Sequence, residues 1–162
     1  MNYAAPAFEA KLCAPAELAV RVAALPRPLV FTNGCFDILH RGHVSYLAQA
    51  RALGVSLVVA ANSDASVKRL GKGDDRPVNA LADRMAVLAA LESVSLVTWF
   101  DEDTPLARIL DCRPDIIVKG GDWPVDRIVG APKVIGWGGQ VHSIPFIHTR
   151  STTALLEKIK RL

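Results

Sequence analysis

The feature that most constrains this chain is the regular alternation of short apolar, β-rich runs with helical periodicity. Runs at 29–32, 55–61, 94–100 and 115–119 are rich in Val, Ile, Leu and Phe, and turn residues bound them. Between them lie segments with apolar residues at helical spacing, at 43–53, 80–91 and 104–110. The clearest is 80–91, where Leu81, Met85, Leu88 and Leu91 recur. A first helix is expected over 15–25, opened by Pro15 and stopped by Pro26 and Pro28, behind a loosely held leader at 1–14. The stretch 62–77 reads as a polar loop and 125–129 as a short helix. Weaker strands are expected at 133–135 and 140–144, and a closing helix at 151–159 has Ser151 or Thr152 as its N-cap. Such alternation predicts an α/β fold, a Rossmann-like doubly wound parallel sheet with helices on both faces, in a single domain over 15–162. Ligands of such sheets bind beyond the C-terminal strand ends, where strand order reverses. Residues just after the strands are therefore the ones to search.

Bulk properties narrow the class. Apolar residues make up 51% and charged residues 22% of 162 residues, the balance of a folded globular chain. The net charge of +3 is small, and the terminal run from Lys158 to Arg161 closes a helix, where cations complement the dipole. Nucleic-acid binding is therefore not expected. No apolar run approaches a membrane span and no signal peptide is visible, so a cytoplasmic protein is expected. Cys13, Cys35 and Cys112 are too irregularly spaced for a disulfide framework or a structural zinc site.

The richest segment runs from Thr32 through Asn33, Gly34, Cys35, Phe36 and Asp37 to His40, Gly42 and His43. Two imidazoles flanking a glycine at a helix mouth suit phosphate oxygens and charge developing on phosphorus. A zinc site from Cys35, His40 and His43 lacks a nearby fourth ligand. At the other end, Arg150, Ser151, Thr152 and Thr153 open the closing helix and read either as a second anion site or as plain capping. Lys68, Arg69 and Lys72 follow the second strand, with Gly71 and Gly73 flanking Lys72, and are either phosphate-reaching or solvated. Arg84 could bind a substrate phosphate or pair on the surface. Lys119, Gly120, Gly121, Asp122 and Trp123 follow the fourth strand, and Trp123 could stack on a base or sugar or plug the core. A G-x-x-x-x-G-K-S/T loop, a G-x-G-x-x-G turn and a G-x-S-x-G elbow are all missing, which argues against P-loop, dinucleotide and serine-hydrolase chemistry.

The H-x-G-H after the first strand, with the Ser/Thr-rich start of the last helix, resembles the cytidylyltransferase-like nucleotidyltransferase superfamily. Within it, the stretches FTNGCFDILHRGH, NSDASVKRLGKGDDRPV, VKGGDW and STT resemble bacterial heptose 1-phosphate adenylyltransferases over about residues 16–162. The resemblance implies transfer of AMP from ATP to D-glycero-β-D-manno-heptose 1-phosphate, with Mg2+, giving ADP-heptose for lipopolysaccharide and pyrophosphate. It implies a stand-alone form, without the sugar-kinase domain that many relatives carry, and a homo-oligomer.

By the same resemblance His40, His43 and Lys72 are catalytic. Thr32, Asn33, Gly34, Cys35, Phe36 and Gly42 bind ATP, together with Lys119, Gly120, Gly121 and Asp122 and the closing Arg150, Ser151, Thr152 and Thr153. Asp37, Asn62, Lys68, Arg84 and Trp123 serve the sugar phosphate. The sequence departs from the superfamily in having Cys35 where other branches have Thr, an extra glycine in RLGKG, and His148-Thr149-Arg150 before the STT. The alternatives are a cytidylyltransferase for a polyol or amino-alcohol phosphate, a non-catalytic nucleotide-binding module and, more remotely, a metal-binding redox module.

Overall fold

The computed structural model describes residues 3–71, 73, 75–148 and 151–162. Among these residues five parallel strands form one sheet: β1 (Leu29–Gly34), β2 (Ser56–Asn62), β3 (Leu96–Phe100), β4 (Ile116–Gly120) and β5 (Gln140–Ile144). Their order is β3-β2-β1-β4-β5, so the chain reverses direction across the sheet between β1 and β4. Among the described residues seven α-helices connect or flank them: α1 (Leu18–Ala23), α2 (Arg41–Arg51), α3 (Asp64–Arg69), α4 (Leu81–Ala89), α5 (Leu106–Cys112), α6 (Ala131–Gly136) and α7 (Thr152–Lys160).

The continuous apolar character of the strands follows from burial on both faces. Leu29 and Phe31 of β1 point into a core with Leu18, Val22, Ile109, Ala131 and Val134 of α1, α5 and α6. Val30, between them, points the other way, to Leu47 of α2 and Leu88 of α4. The expected doubly wound sheet is thus in place. The weak strand expected at 140–144 is β5, paired with β4 from Ile116↔Gln140 to Gly120↔Ile144.

Three local expectations are corrected. Residues 133–135 belong to a helix, α6: Gly130 turns the chain at φ 83°, Pro132 fits the first turn, and Val134 buries fully. The polar loop expected at 62–77 contains α3, whose N-cap Ser63 accepts a hydrogen bond from the Ser66 N–H at 2.9 Å and whose Val67 is fully buried. The leader is not loose throughout. Ala7–Lys11 forms a 3-10 turn, Leu12 bridges Val97 in parallel, and the Cys13 N–H donates to the Val97 carbonyl at 2.9 Å. That contact covers the open edge of β3, and Cys13 is only 2% exposed.

Candidate active site

β1 ends at Gly34, and Phe36, with φ 47°, turns the chain away from the sheet before α2 begins. His40 is the N-cap of α2 and His43 lies in its first turn. Their rings stack with centroids 3.8 Å apart and 20° between planes. Phe36 stands edge-on to His43 at 5.4 Å and Phe146 at 6.5 Å. The Nδ1 atom of His43 is buried without a hydrogen-bond partner among the described residues. Burial first, then the neighbouring His40 charge, push the His43 pKa down to about 4, against a hydrogen bond to the Ile38 backbone. His43 is therefore neutral near pH 7.

The two ends of the chain meet here. Ser151 caps α7, accepting from the Ala154 N–H at 3.1 Å, and the Thr152 hydroxyl donates to the Ile38 carbonyl at 3.4 Å. A Cβ on Gly42 would come within 3.2 Å of the His148 carbonyl, so glycine lets the closing segment lie against α2. One cavity of about 430 Å³ is lined by Cys35, His40, His43, Phe146 and the Ser151-Thr152-Thr153 start of α7. Phosphate oxygens would there meet imidazoles, hydroxyls and the unpaired N–H groups of a helix start.

Two further cavities run along the C-terminal edge of β1 and β4, and Cys35 borders all three. One, of about 260 Å³, lies against Asn33, Gly120, Lys119, Tyr46 and Phe146. The other, of about 460 Å³, is lined by Asn62, Phe100, Thr104, Lys119, Trp123 and Arg127, among others. Lys119 Nζ donates to Asn33 Oδ1 at 3.4 Å across the crevice. Gly120 approaches closely, since a Cβ there would lie 2.6 Å from the Phe146 ring. Gly121 takes φ 106° and its carbonyl accepts from the Ser143 hydroxyl. Trp123 is 50% exposed at the rim, so it does not plug the core. The cleft thus joins His40, His43, Asn33, Gly34, Cys35, Phe36, Asn62, Lys119, Gly120, Trp123 and the α7 start, while Gly42 is buried behind them. Asp122 is exposed on the neighbouring turn and Lys68 at the end of α3. Lys72 and Arg150 lie outside the described residues.

Three assignments are corrected. Arg84 is neither a surface ion pair nor a ligand for a sugar phosphate. It is buried, with Nε donating to Asn79 O at 3.0 Å, Nη1 to Cys35 O at 2.6 Å, and Nη2 to Asn62 O and Asp64 Oδ1 at 2.8 Å each. Asp37 and Arg76 border the cavity of the two imidazoles, but the Asp37 carboxylate is taken up within the protein: it pairs with the buried Arg76 and accepts from the Val78 and Asn79 N–H groups at 2.9 and 3.0 Å. Burial alone would raise its pKa, but the Asn79 and Val78 N–H groups and Arg76 hold it below the ordinary range. Thr32 is fully buried, its hydroxyl 2.6 Å from Tyr46 Oη, so it does not face the cleft. Sequence reasoning missed Arg76, Tyr46 and Phe146. Tyr46 alone carried a signal, as a polar-tipped aromatic one turn beyond His43. No group of three or more His, Cys, Asp or Glu among the described residues could hold a metal.

The lowered His43 pKa has a consequence for stability. An unfolded histidine titrates near 6.5, so the unfolded chain takes up this proton first as pH falls. The stability it governs is complete above about pH 6.5 and is lost progressively toward pH 4. Between pH 7.5 and 5, His43→Asn should lose less thermal stability than the wild type. Melting curves at the two pH values check this, and parallel losses would refute it.

The model of the family described as cytidylyltransferase-like matches residues 31–154. A D-beta-D-heptose 1-phosphate adenylyltransferase from Bordetella bronchiseptica is 60% identical over 156 residues, covering 95% of this chain and 96% of the relative. A bifunctional protein HldE from Hahella chejuensis is 57% identical over 82% of this chain, which spans 28% of that longer protein. Among solved structures, a lipopolysaccharide core biosynthesis protein from Thermoplasma volcanium superposes with a TM-score of 0.60 at 28% identity, covering 75% of this chain and 98% of that one. A pantoate-beta-alanine ligase from Francisella tularensis shares the fold alone, with a TM-score of 0.60 at 15% identity, covering 93% of this chain and 72% of that one. With more than half of its length matched and the strand-end cleft in place, the chain belongs to the cytidylyltransferase-like family.

Proposed function

We propose that this protein is an adenylyltransferase that transfers AMP from ATP to D-glycero-β-D-manno-heptose 1-phosphate, releasing pyrophosphate and forming ADP-heptose. The observation that carries this reading is the convergence of His40, His43 and the Ser151-Thr152-Thr153 helix start on one cavity. The identity to the Bordetella enzyme supports the choice of substrates.

An oxygen of the sugar 1-phosphate attacks the α-phosphorus of ATP in line. The new P–O bond forms as the bond to the β-phosphate bridging oxygen breaks, and the electron pair leaves on pyrophosphate. The nucleophile is already an anion near pH 7, so the reaction requires no general base. Catalysis then rests on positioning and on neutralising charge. As phosphate enters, the single N–H of neutral His43 turns from the Ile38 backbone to a phosphate oxygen. The α7 start binds the β- and γ-phosphates, and Lys119 lies on the nucleoside side of the crevice. Lys72 is proposed to stabilise the α- or β-phosphate. A divalent cation such as Mg2+, arriving with the triphosphate, would offset the charge on the phosphates and on the leaving pyrophosphate.

The deciding experiment measures pyrophosphate release with ATP or CTP against heptose 1-phosphate or glycerol 3-phosphate. Turnover is expected with ATP and heptose 1-phosphate. Turnover confined to CTP would replace this reading with cytidylyl transfer to a polyol phosphate, and tight ATP binding without release would indicate a non-catalytic module. No helix among the described residues is long and apolar enough to cross a membrane. A cytoplasmic place, where ATP is made, and a homo-oligomer belong to the same proposal. Light scattering against the 17.4 kDa chain tests the latter.

A further inference from the structure

The sheet is uneven at its switch point. β1 pairs with β2 over its whole length, from Leu29↔Ser56 to Gly34↔Ala61. With β4 it pairs only at Val30↔Ile116 and Phe31↔Ile117. Both strands continue to Gly34 and Gly120, so they run on side by side without a ladder, and the ligand-side crevice opens between them. Where the ladder stops, Tyr46 of α2 inserts its hydroxyl. It donates to the Val118 carbonyl at 3.1 Å and lies 2.6 Å from the Thr32 hydroxyl. A carbonyl can only accept, so the single phenolic hydrogen goes to Val118 and the Thr32 hydroxyl donates to the phenol oxygen. Tyr46 is 3% exposed, and Thr32 and Val118 are fully buried, so water cannot replace either bond. Burial holds the phenol protonated by pushing its pKa upward.

Tyr46 lies one helical turn beyond His43, and Phe146 leans on both rings, 5.6 Å from Tyr46 and 6.5 Å from His43. We propose that Tyr46 is a positioning residue for phosphoryl chemistry. Its hydroxyl pegs β1 and β4 apart where their ladder ends, and so sets how far the α2 imidazoles stand from the Lys119-Gly120-Gly121 turn. The inference rests on the adenylyl-transfer reading for its catalytic consequence, but the geometry it describes is independent of substrate.

Tyr46→Phe keeps the ring and deletes the peg, and Thr32→Val deletes its partner. Turnover with ATP and heptose 1-phosphate is normalised to ATP-binding sites counted by calorimetry. Tyr46→Phe is expected to lower kcat about 10- to 100-fold with both KM values within about threefold, as a small misplacement of reacting groups does. Thr32→Val should change kcat in the same direction, and the double variant should be no worse than Tyr46→Phe, because the two hydroxyls act as one device. The ring signals of His43 in heteronuclear NMR of the ligand-free protein should shift in Tyr46→Phe. The proposal is overturned by kcat within twofold of wild type, by a raised KM for ATP at unchanged kcat, by additive effects, or by unmoved His43 signals. If Tyr46→Phe does not fold by circular dichroism, Thr32→Val is judged by the same kinetic and NMR criteria. A wild type that forms no ADP-heptose would overturn the adenylyl-transfer reading instead, and the NMR comparison would still decide the positioning role.

Discussion

His43→Ala is expected to lower kcat by roughly a hundred- to a thousand-fold, the usual loss of about 3–4 kcal/mol when one donor to transition-state charge is removed. The imidazole is half-buried on the cavity wall, so the fold should survive its removal. Its Nδ1 atom has no protein partner among the described residues, while the ring borders the cavity shared with the α7 hydroxyls. A neutral ring at pH 7 offers a hydrogen bond rather than a full charge, which helps most when phosphate charge is redistributed. The loss should therefore fall on kcat more than on the KM for ATP. Single-turnover pyrophosphate release, with a melting curve to confirm folding, measures both. Near-wild-type turnover in a folded His43→Ala protein would remove His43 from the mechanism.

Arg84→Met is expected to cost stability on a scale that no surface charge approaches. The guanidinium is fully buried and serves three carbonyls and one carboxylate, at Asn79, Cys35, Asn62 and Asp64. It thereby ties the loop after β1, the end of β2, the start of α3 and the approach to α4. Methionine fills much of the volume but leaves the carbonyls of Cys35, Asn62 and Asn79 without their donor, and together those losses cost about 3–5 kcal/mol. For a chain of this size that corresponds to a fall of roughly 10 °C in Tm. The exposed Lys160–Asp75 pair, at 3.0 Å with side chains 69% and 53% exposed, is the contrast. Deleting it should leave the melting curve essentially unchanged, because solvent screens it. Thermal and urea unfolding of the two variants side by side test the ranking. An Arg84→Met protein melting within about 2 °C of wild type would show that this network does not hold the loops.

Much of the architecture was legible because a strand buried on both faces must be apolar at every position. That gives 29–32, 55–61 and 115–119 their continuous Val, Leu and Ile character. The groups that line the cleft were legible for a similar reason: chemistry calls for particular residue types beyond the strand ends, and His40, His43 and Ser151–Thr153 are such types. What failed was the reading of polar residues whose partners are distant. Arg84 and Asp37 look like ligands for a sugar phosphate, yet their partners lie within the protein: backbone groups of neighbouring loops, the Asp64 carboxylate and the Arg76 guanidinium. α3 was missed because its stability comes from one cap and the burial of Val67 rather than from an amphipathic pattern. α6 was misread because a three-residue apolar window cannot separate a buried helix from a strand.

The sequence by itself therefore determined the order of elements, the parallel sheet and the residue types at the ends of β1 and β4 and at the start of α7. Only the tertiary structure decided which polar groups face the cleft and which are spent holding it open, as Arg84, Asp37, Thr32 and Tyr46 are. The physical reason is that periodicity is a local property of the chain, whereas the fate of a hydrogen-bonding group depends on whether a partner far along the chain is brought within about 3 Å of it.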